Sequence, residues 1–339
     1  MLSRKENEVD KSDDTLKVKS PAAIFLREAG RMPISLVLDH VLRTYAEEGG
    51  ALSEGYVQAL QMRIKRNTYR YFEKHYGSVA AELVQKYNSG EGTKATRIWV
   101  FWWQGESNAP DIIKKCIYTI RKNAGLASVQ VIDATNYQQY AAVPTHIEAK
   151  RKSGALSLTH FSDYYRMALL AEHGGLWIDA SIFVKGLIPA SVFSSPIFTV
   201  RNPSNETDNI SGWEWTVGII GGQEGNTLFT AAAELLSRYW AEHDYLVDYY
   251  TFDYVLRLVY EHSEYIRKTI NAIPINNPNM YFLQEHLNDS AEEFYEQLEK
   301  QTTIFYKVSW KGIYSKTTAS GKDTMYSRWS REITIGERR

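Results

Sequence analysis

Residues 160–184 read HFSDYYRMALLAEHGGLWIDASIFV. Apolar residues recur at spacings of three and four over about 162–173, which predicts a helix, and 176–184 is a short apolar run that predicts a strand. Gly174 and Gly175 part the two; the first can take a left-handed cap conformation, and the second lets another backbone approach closely. Core packing does not ask for the charges that this stretch carries. Asp163 and Arg166, at i and i+3, share one side of the helix, and Asp179 stands inside the strand beside small Ala180 and Ser181.

The surrounding chain supplies the sheet. RIWVFWWQG (97–105) is a β-rich run closed by glycine, PDIIKKCIYTIRKNAG (110–125) an amphipathic helix with a glycine stop, and VQVID (129–133) a second strand. Strand, helix and strand with short connections make a right-handed crossover of a parallel sheet. Downstream, WTVGIIGG (215–222) predicts another strand, 226–243 and 244–263 long apolar-striped helices, 290–299 a further helix and TTIFYKVSWK (302–311) a late strand. Upstream, AAIFLREAG, ISLVLDHVLRTYAEEG and GYVQALQMRIKRNTYRYFEKHYG each carry helical periodicity, with glycines near their ends. The expected division is a flexible N-terminus (1–20), a helical subdomain (21–92) joined through NSGEGTKAT, an α/β domain (93–321) and a polar tail (322–339).

Composition bounds the partners. With 39 Lys plus Arg against 40 Asp plus Glu, the net charge of −1 gives no global reason to expect nucleic acid. Cys116 is the sole cysteine, which excludes an internal disulfide framework and fits a reducing, cytoplasmic setting. MLSRKENEVDKSDDTLKVKS is charged rather than signal-like, and no segment reaches the ~18 apolar residues of a membrane span, so a soluble chain is expected. On that view the Asn-x-Ser/Thr triplets at Asn205, Asn209 and Asn288 are chance. Aromatic residues at 13% exceed the needs of a core and suit carbohydrate or nucleobase contact.

Asp163 and Arg166 read either as a local ion pair, worth ~0–1 kcal/mol at a surface, or as charges facing a cleft. The apolar neighbours Tyr164, Tyr165, Met167 and Leu169 leave little of the helix for solvent and favour the cleft. Ligands of open α/β sheets bind at the carboxyl ends of strands, where Asp179 can reach a cation or a sugar-nucleotide. Asp253, in DYYTFDYVL, reads as a helix-surface acid or as a group orienting an acceptor hydroxyl. Trp213, Glu214 and Trp215 form an aromatic-acid cluster at a core rim or an acceptor wall. Lys65, Arg66, Arg70 and Lys74 give a solvated helix face or a membrane-surface contact. His146, His160 and His173 lack metal-ligand spacing.

SDYYRMALLAEHGGLWIDAS resembles the signature of glycosyltransferase family 32 and its capsular-polysaccharide-synthesis relatives: Ser-Asp, Arg three residues on, a Gly-Gly helix stop, an aromatic and an Asp-bearing strand. IWVFWWQG, FDYVL and FYKVSWK are similar to weaker flanking blocks, so the likeness spans roughly residues 97–311. It implies a GT-A-like, Rossmann-like α/β fold with a mixed, mainly parallel sheet flanked by helices, plus an N-terminal helical extension. It also implies a nucleotide-sugar donor. Asp163 and Arg166 would bind the sugar and ribose, and Trp102 or Trp103 would stack on the base. Asp179 would match the first acid of an Asp-x-Asp motif near a divalent metal, Mn2+ or Mg2+. Ser181 stands where the second acid belongs, so the metal would lose a charged ligand.

Displacing a nucleoside diphosphate from a sugar builds negative charge on the leaving phosphate and positive charge on the ring. Lys311 is a candidate to touch that diphosphate or an ordinary surface lysine. The expected function is transfer of a sugar, with retention, to a polysaccharide or lipid-linked oligosaccharide acceptor at the cytoplasmic face of a membrane. The alternatives are a non-catalytic carbohydrate-binding protein or an assembly protein on a degenerate GT-A fold.

Overall fold

The computed structural model describes residues 21–47, 52–87, 92–203, 210–212 and 214–333. Expectations attached to residues 1–20, to Asn205 and Asn209, and to Trp213 lie outside the described residues. In chain order the described strands are β1 (Arg97–Phe101), β2 (Ser128–Ile132), β3 (Gly175–Ile178), β4 (Ile182–Val184), β5 (Ile197–Thr199), β6 (Ile219–Gly222) and β7 (Phe305–Lys307). The central sheet has the order β2-β1-β3-β6-β5. β1 is parallel to β2 and to β3, while β6 runs against both β3 and β5. Every strand of this sheet except β6 therefore points the same way, and helices cover both faces: a mixed, mainly parallel α/β architecture of GT-A-like type.

Period-two alternation assigns the two faces. Trp99, Trp177 and Ile220 point to one core, and Ile98, Val100, Leu176, Ile178 and Ile219 to the other. The helices are α1 (Pro21–Glu28), α2 (Ile34–Glu47), α3 (Glu54–Lys86), α4 (Asp111–Asn123), α5 (Thr145–Ser153), α6 (Leu158–His173), α7 (Thr227–Glu242), α8 (Thr251–His262), α9 (Glu264–Asn271), α10 (Phe282–His286), α11 (Ala291–Lys300) and α12 (Met325–Glu332). α2, α3 and α5 to α9 build the core on the Trp99 and Trp177 side; α4, α10, α11 and α12 build the other with the β4–β7 ribbon.

Several boundaries differ from the sequence reading for identifiable reasons. α6 starts at Leu158 rather than 162 because Ser157 caps it, its hydroxyl accepting from His160 N at 3.4 Å. α8 starts at Thr251 rather than 244 because the Asp248 carboxylate accepts from Tyr250 N at 2.9 Å and ties the preceding residues into a turn. α3 runs through Gly77 instead of ending there. A mid-helix glycine costs ~1 kcal/mol relative to alanine, and tertiary packing outweighs it: Phe72 stacks on Tyr254 with ring centres 5.4 Å apart, and the Tyr76 hydroxyl donates to Glu242 at 2.8 Å. The predicted tail contains α12, which buries Met325 and sets Trp329 edge-on to Phe183, 5.6 Å between ring centres.

The correction that matters most for the site lies in 176–184. The single expected strand is two, and Asp179–Ala180–Ser181 is the joint between the main sheet and the β4–β7 ribbon. Asp179 N donates to Gly218 O at 2.8 Å and Ile182 N to Asp179 O at 2.9 Å, which turns the chain. Upstream, Gly175 holds φ at 94°, and a Cβ there would come within 2.6 Å of Arg97 O. Only glycine lets β3 enter so close to β1.

Candidate functional site

A cleft of about 260 Å³ opens at the carboxyl ends of β1 and β3. The segment after β1 supplies Trp102 and Trp103, α6 supplies Asp163 and Arg166, the joint after β3 supplies Asp179 and Ser181, and the segment after β7 supplies Trp310 and Lys311. Elements far apart in sequence thus meet at the rim where open α/β sheets bind ligands.

Arg166 organises the floor. It is 4% exposed, and its Nη1 donates to Val217 O at 2.8 Å. Nη2 lies 3.3 Å from Asp179 Oδ1 and 3.6 Å from Asp163 Oδ1. The guanidinium also lies over the Trp177 ring, 4.7 Å from its centre. A planar cation held by these partners is pre-organised, with little freedom left to lose when a ligand binds.

The two acids beside it differ in environment. Burial pushes the Asp163 carboxyl up, and nearby Asp179 adds to this against the pull of Arg166, so it titrates at about 7. At Asp179 burial acts upward too, but Lys307 and Arg166 outweigh it, helped by the Trp177 indole N–H at 2.9 Å, and the group falls to about 2. At neutral pH Asp179 is a carboxylate while Asp163 is divided between its two forms. Such divergence between neighbouring carboxyls is typical of sites that handle charge or protons.

Asp253 does not line the cleft. It lies on α8, where its Oδ1 accepts from Trp215 Nε1 at 3.1 Å; burial and Asp163 push it up, against that hydrogen bond and the arginines, to about 6. Trp102 packs edge-on to Trp310, 5.6 Å between ring centres, and its buried Nε1 has no hydrogen-bond partner among the described residues. Trp103 packs on Tyr137 at 5.1 Å between ring centres, and the Arg151 guanidinium lies over the Trp103 ring, 4.6 Å from its centre. Lys311 reaches over the Trp310 ring, 5.2 Å from its centre.

Lys307 is a residue that sequence reasoning missed. Its Nζ lies 3.2 Å from Asp179 Oδ2 and donates to Ser181 Oγ at 2.8 Å. Gly218 is a second: a Cβ there would stand 2.8 Å from Asp179 Oδ2, so only glycine leaves the carboxylate its place. A lysine in the apolar strand FYKV is the same anomaly as an aspartate in LWIDASIFV, and that signal was present in the sequence.

Mn2+ and Mg2+ take several oxygen ligands, usually with more than one carboxylate or with phosphate. Here both Asp179 oxygens and the Ser181 hydroxyl already face Lys307, Arg166 or Trp177. No cluster of three or more His, Cys, Asp or Glu suited to a metal occurs among the described residues. This donor set does not fit a divalent ion.

The family model described as capsular polysaccharide synthesis protein matches residues 51–329. The O-glycosyltransferase PaGT of Phomopsis amygdali is 25% identical over 134 residues, which cover 34% of this chain and 33% of that protein. The chain thus spans about a third of the length of this curated relative. No helix among the described residues is long and apolar enough to cross a membrane.

Proposed function

The chain belongs to the capsular polysaccharide synthesis protein family, and on that footing we propose that it is a glycosyltransferase that takes a sugar from a nucleotide donor. The observation that carries this reading is the meeting of Asp163, Arg166 and Asp179 on one cleft at the carboxyl ends of β1 and β3. The similarity to an O-glycosyltransferase supports it over part of the chain.

In this proposal the nucleobase lies against Trp102 and Trp310, whose rings form one wall. Asp163 and Arg166 hold hydroxyls of the donor sugar and ribose, and Asp179 fixes Arg166. Lys311 faces the diphosphate. The anomeric carbon–phosphate oxygen bond breaks as the acceptor oxygen bonds to that carbon, and the acceptor proton passes to the departing phosphate on the same face, which retains configuration. Positive charge on the sugar ring faces the ionised Asp179 and the ionised fraction of Asp163. The acceptor is a surface polysaccharide or its lipid-linked precursor, and the work is done at the cytoplasmic face of the membrane.

The test is release of nucleoside diphosphate from a panel of nucleotide sugars, with and without glycan acceptors. Release that vanishes in a folded Asp179→Ala variant supports the assignment. Glycan binding with no turnover of any donor replaces it with a carbohydrate-binding protein.

A further inference from the structure

The joint between β3 and β4 holds a neutral hydroxyl at Ser181, and a cation from a distant strand stands beside it. β7 pairs antiparallel with β4, with Ile182 opposite Lys307. The Lys307 backbone is pinned on both sides: its own N donates to Met280 O at 2.8 Å, and the next residue, Val308, donates to Ser181 O at 3.0 Å. From this position Nζ bridges Asp179 Oδ2 and Ser181 Oγ. The side chain is 30% exposed; Lys307 is not itself among the residues that line the cleft, but Asp179 and Ser181, the two groups its ammonium holds, both are.

We propose that the Lys307 ammonium takes the place of a divalent ion, and that this chain binds and activates the diphosphate of its donor without a metal. The proposal rests on the nucleotide-sugar reading above and specifies how that site neutralises its leaving group. Charge matching supports it. Arg166 and Lys307 stand beside Asp179, and Lys311 lines the same cleft; against Asp179 and the partly ionised Asp163 the three cations leave an excess that suits a dianionic diphosphate. A divalent ion at Asp179 and Ser181 would instead meet Lys307 at hydrogen-bond range, where like charges repel most. Ser181 falls into place as well: an ammonium needs an acceptor there, and a hydroxyl supplies one without adding charge. As the anomeric bond breaks, electrons move onto the leaving phosphate, and Lys307 stabilises that charge by donating a hydrogen bond to it.

The experiment measures nucleoside diphosphate binding by calorimetry and donor turnover, each in excess EDTA and in Mn2+. UDP and GDP are the probes, with the matching nucleosides as controls. Wild-type affinity and turnover should agree within about twofold between the two conditions. Lys307→Met should weaken diphosphate binding by about 10- to 100-fold, the range of one charge-assisted hydrogen bond, while nucleoside binding is unchanged and Mn2+ restores nothing. Lys307→Arg should recover most of the loss. The double variant Lys307→Ala with Ser181→Asp, which exchanges the ammonium for a second acid, should acquire dependence on Mn2+. Wild-type binding that EDTA abolishes and Mn2+ restores overturns the proposal, and this arm needs no variant to fold. Absence of diphosphate and donor binding in both conditions, with glycan binding intact, overturns the nucleotide-sugar reading itself and the proposal with it.

Discussion

Arg166 Nη2 stands 3.3 Å from Asp179 Oδ1, and 5% of the arginine side chain is exposed. Breaking a fully buried pair costs about 3–5 kcal/mol because it strands the partner charge. Asp179 keeps Lys307 and is 27% exposed, so Arg166→Met should cost less, about 2 kcal/mol in urea unfolding. Donor turnover should fall on the order of 100-fold or more. Arg166→Lys should not rescue it, since one ammonium cannot serve Val217 O, two carboxylates and the Trp177 face together.

Asp163 should imprint a pH dependence on stability. Its folded pKa of about 7 lies above the ordinary value of about 3.9, so between these values the folded state binds more proton than the unfolded chain. Stability should therefore fall as pH rises from about 4 to 7. Asp253, raised to about 6, acts in the same sense, whereas Asp179, lowered to about 2, contributes stability that is lost only as pH drops from about 4 towards 2. Asp163→Asn should flatten part of the slope and be more stable than wild type at pH 8 by on the order of 1–3 kcal/mol. Denaturant titrations at pH 5 and pH 8 decide; equal slopes in both proteins would refute the raised carboxyl.

Gly218→Ala should separate function from folding. Its φ is not in the region reserved for glycine, so the backbone accepts alanine, but the new methyl group would press on Asp179 Oδ2 from 2.8 Å. We expect about 1 kcal/mol or less of lost stability and a loss of donor turnover of about 10- to 100-fold as the carboxylate is displaced. Thermal unfolding and turnover on the same preparation read both.

The N-terminal helices should prove inseparable from the α/β layer. Phe72 is fully buried between Tyr239 and Tyr254, so Phe72→Ala should cost about 3–5 kcal/mol. Deleting residues 1–92 removes the whole of α3 and exposes that aromatic face, so the truncated chain should lose cooperative unfolding and aggregate. A soluble, cooperatively folded remainder would show that α3 is dispensable.

Local pattern and distant pairing were unequally legible. The β1–α4–β2 crossover and the charged α6 followed by glycine show in the sequence because each is written within a few dozen residues. Lys307 and Asp179 are 128 positions apart, and only the β4–β7 pairing joins them, which no local periodicity announces. The break at Asp179 was hidden because Leu176–Ile178 and Ile182–Val184 are equally apolar on either side, each buried in its own sheet. α12 reads as polar because only two of its three buried residues, Met325 and Trp329, are apolar.

The reversed polarity of β6 has a consequence for anyone transplanting this pocket. Running against β3, it delivers its entry end, Val217 and Gly218, to the same rim where β3 exits. Those two residues hand over the carbonyls that receive Arg166 and the Asp179 amide. A graft of α6 and β3 onto a host whose neighbouring strand ran alongside would bring that strand's far terminus to the spot, and both donors would arrive with nothing to greet them. Strand direction is as much an ingredient of the pocket as any side chain.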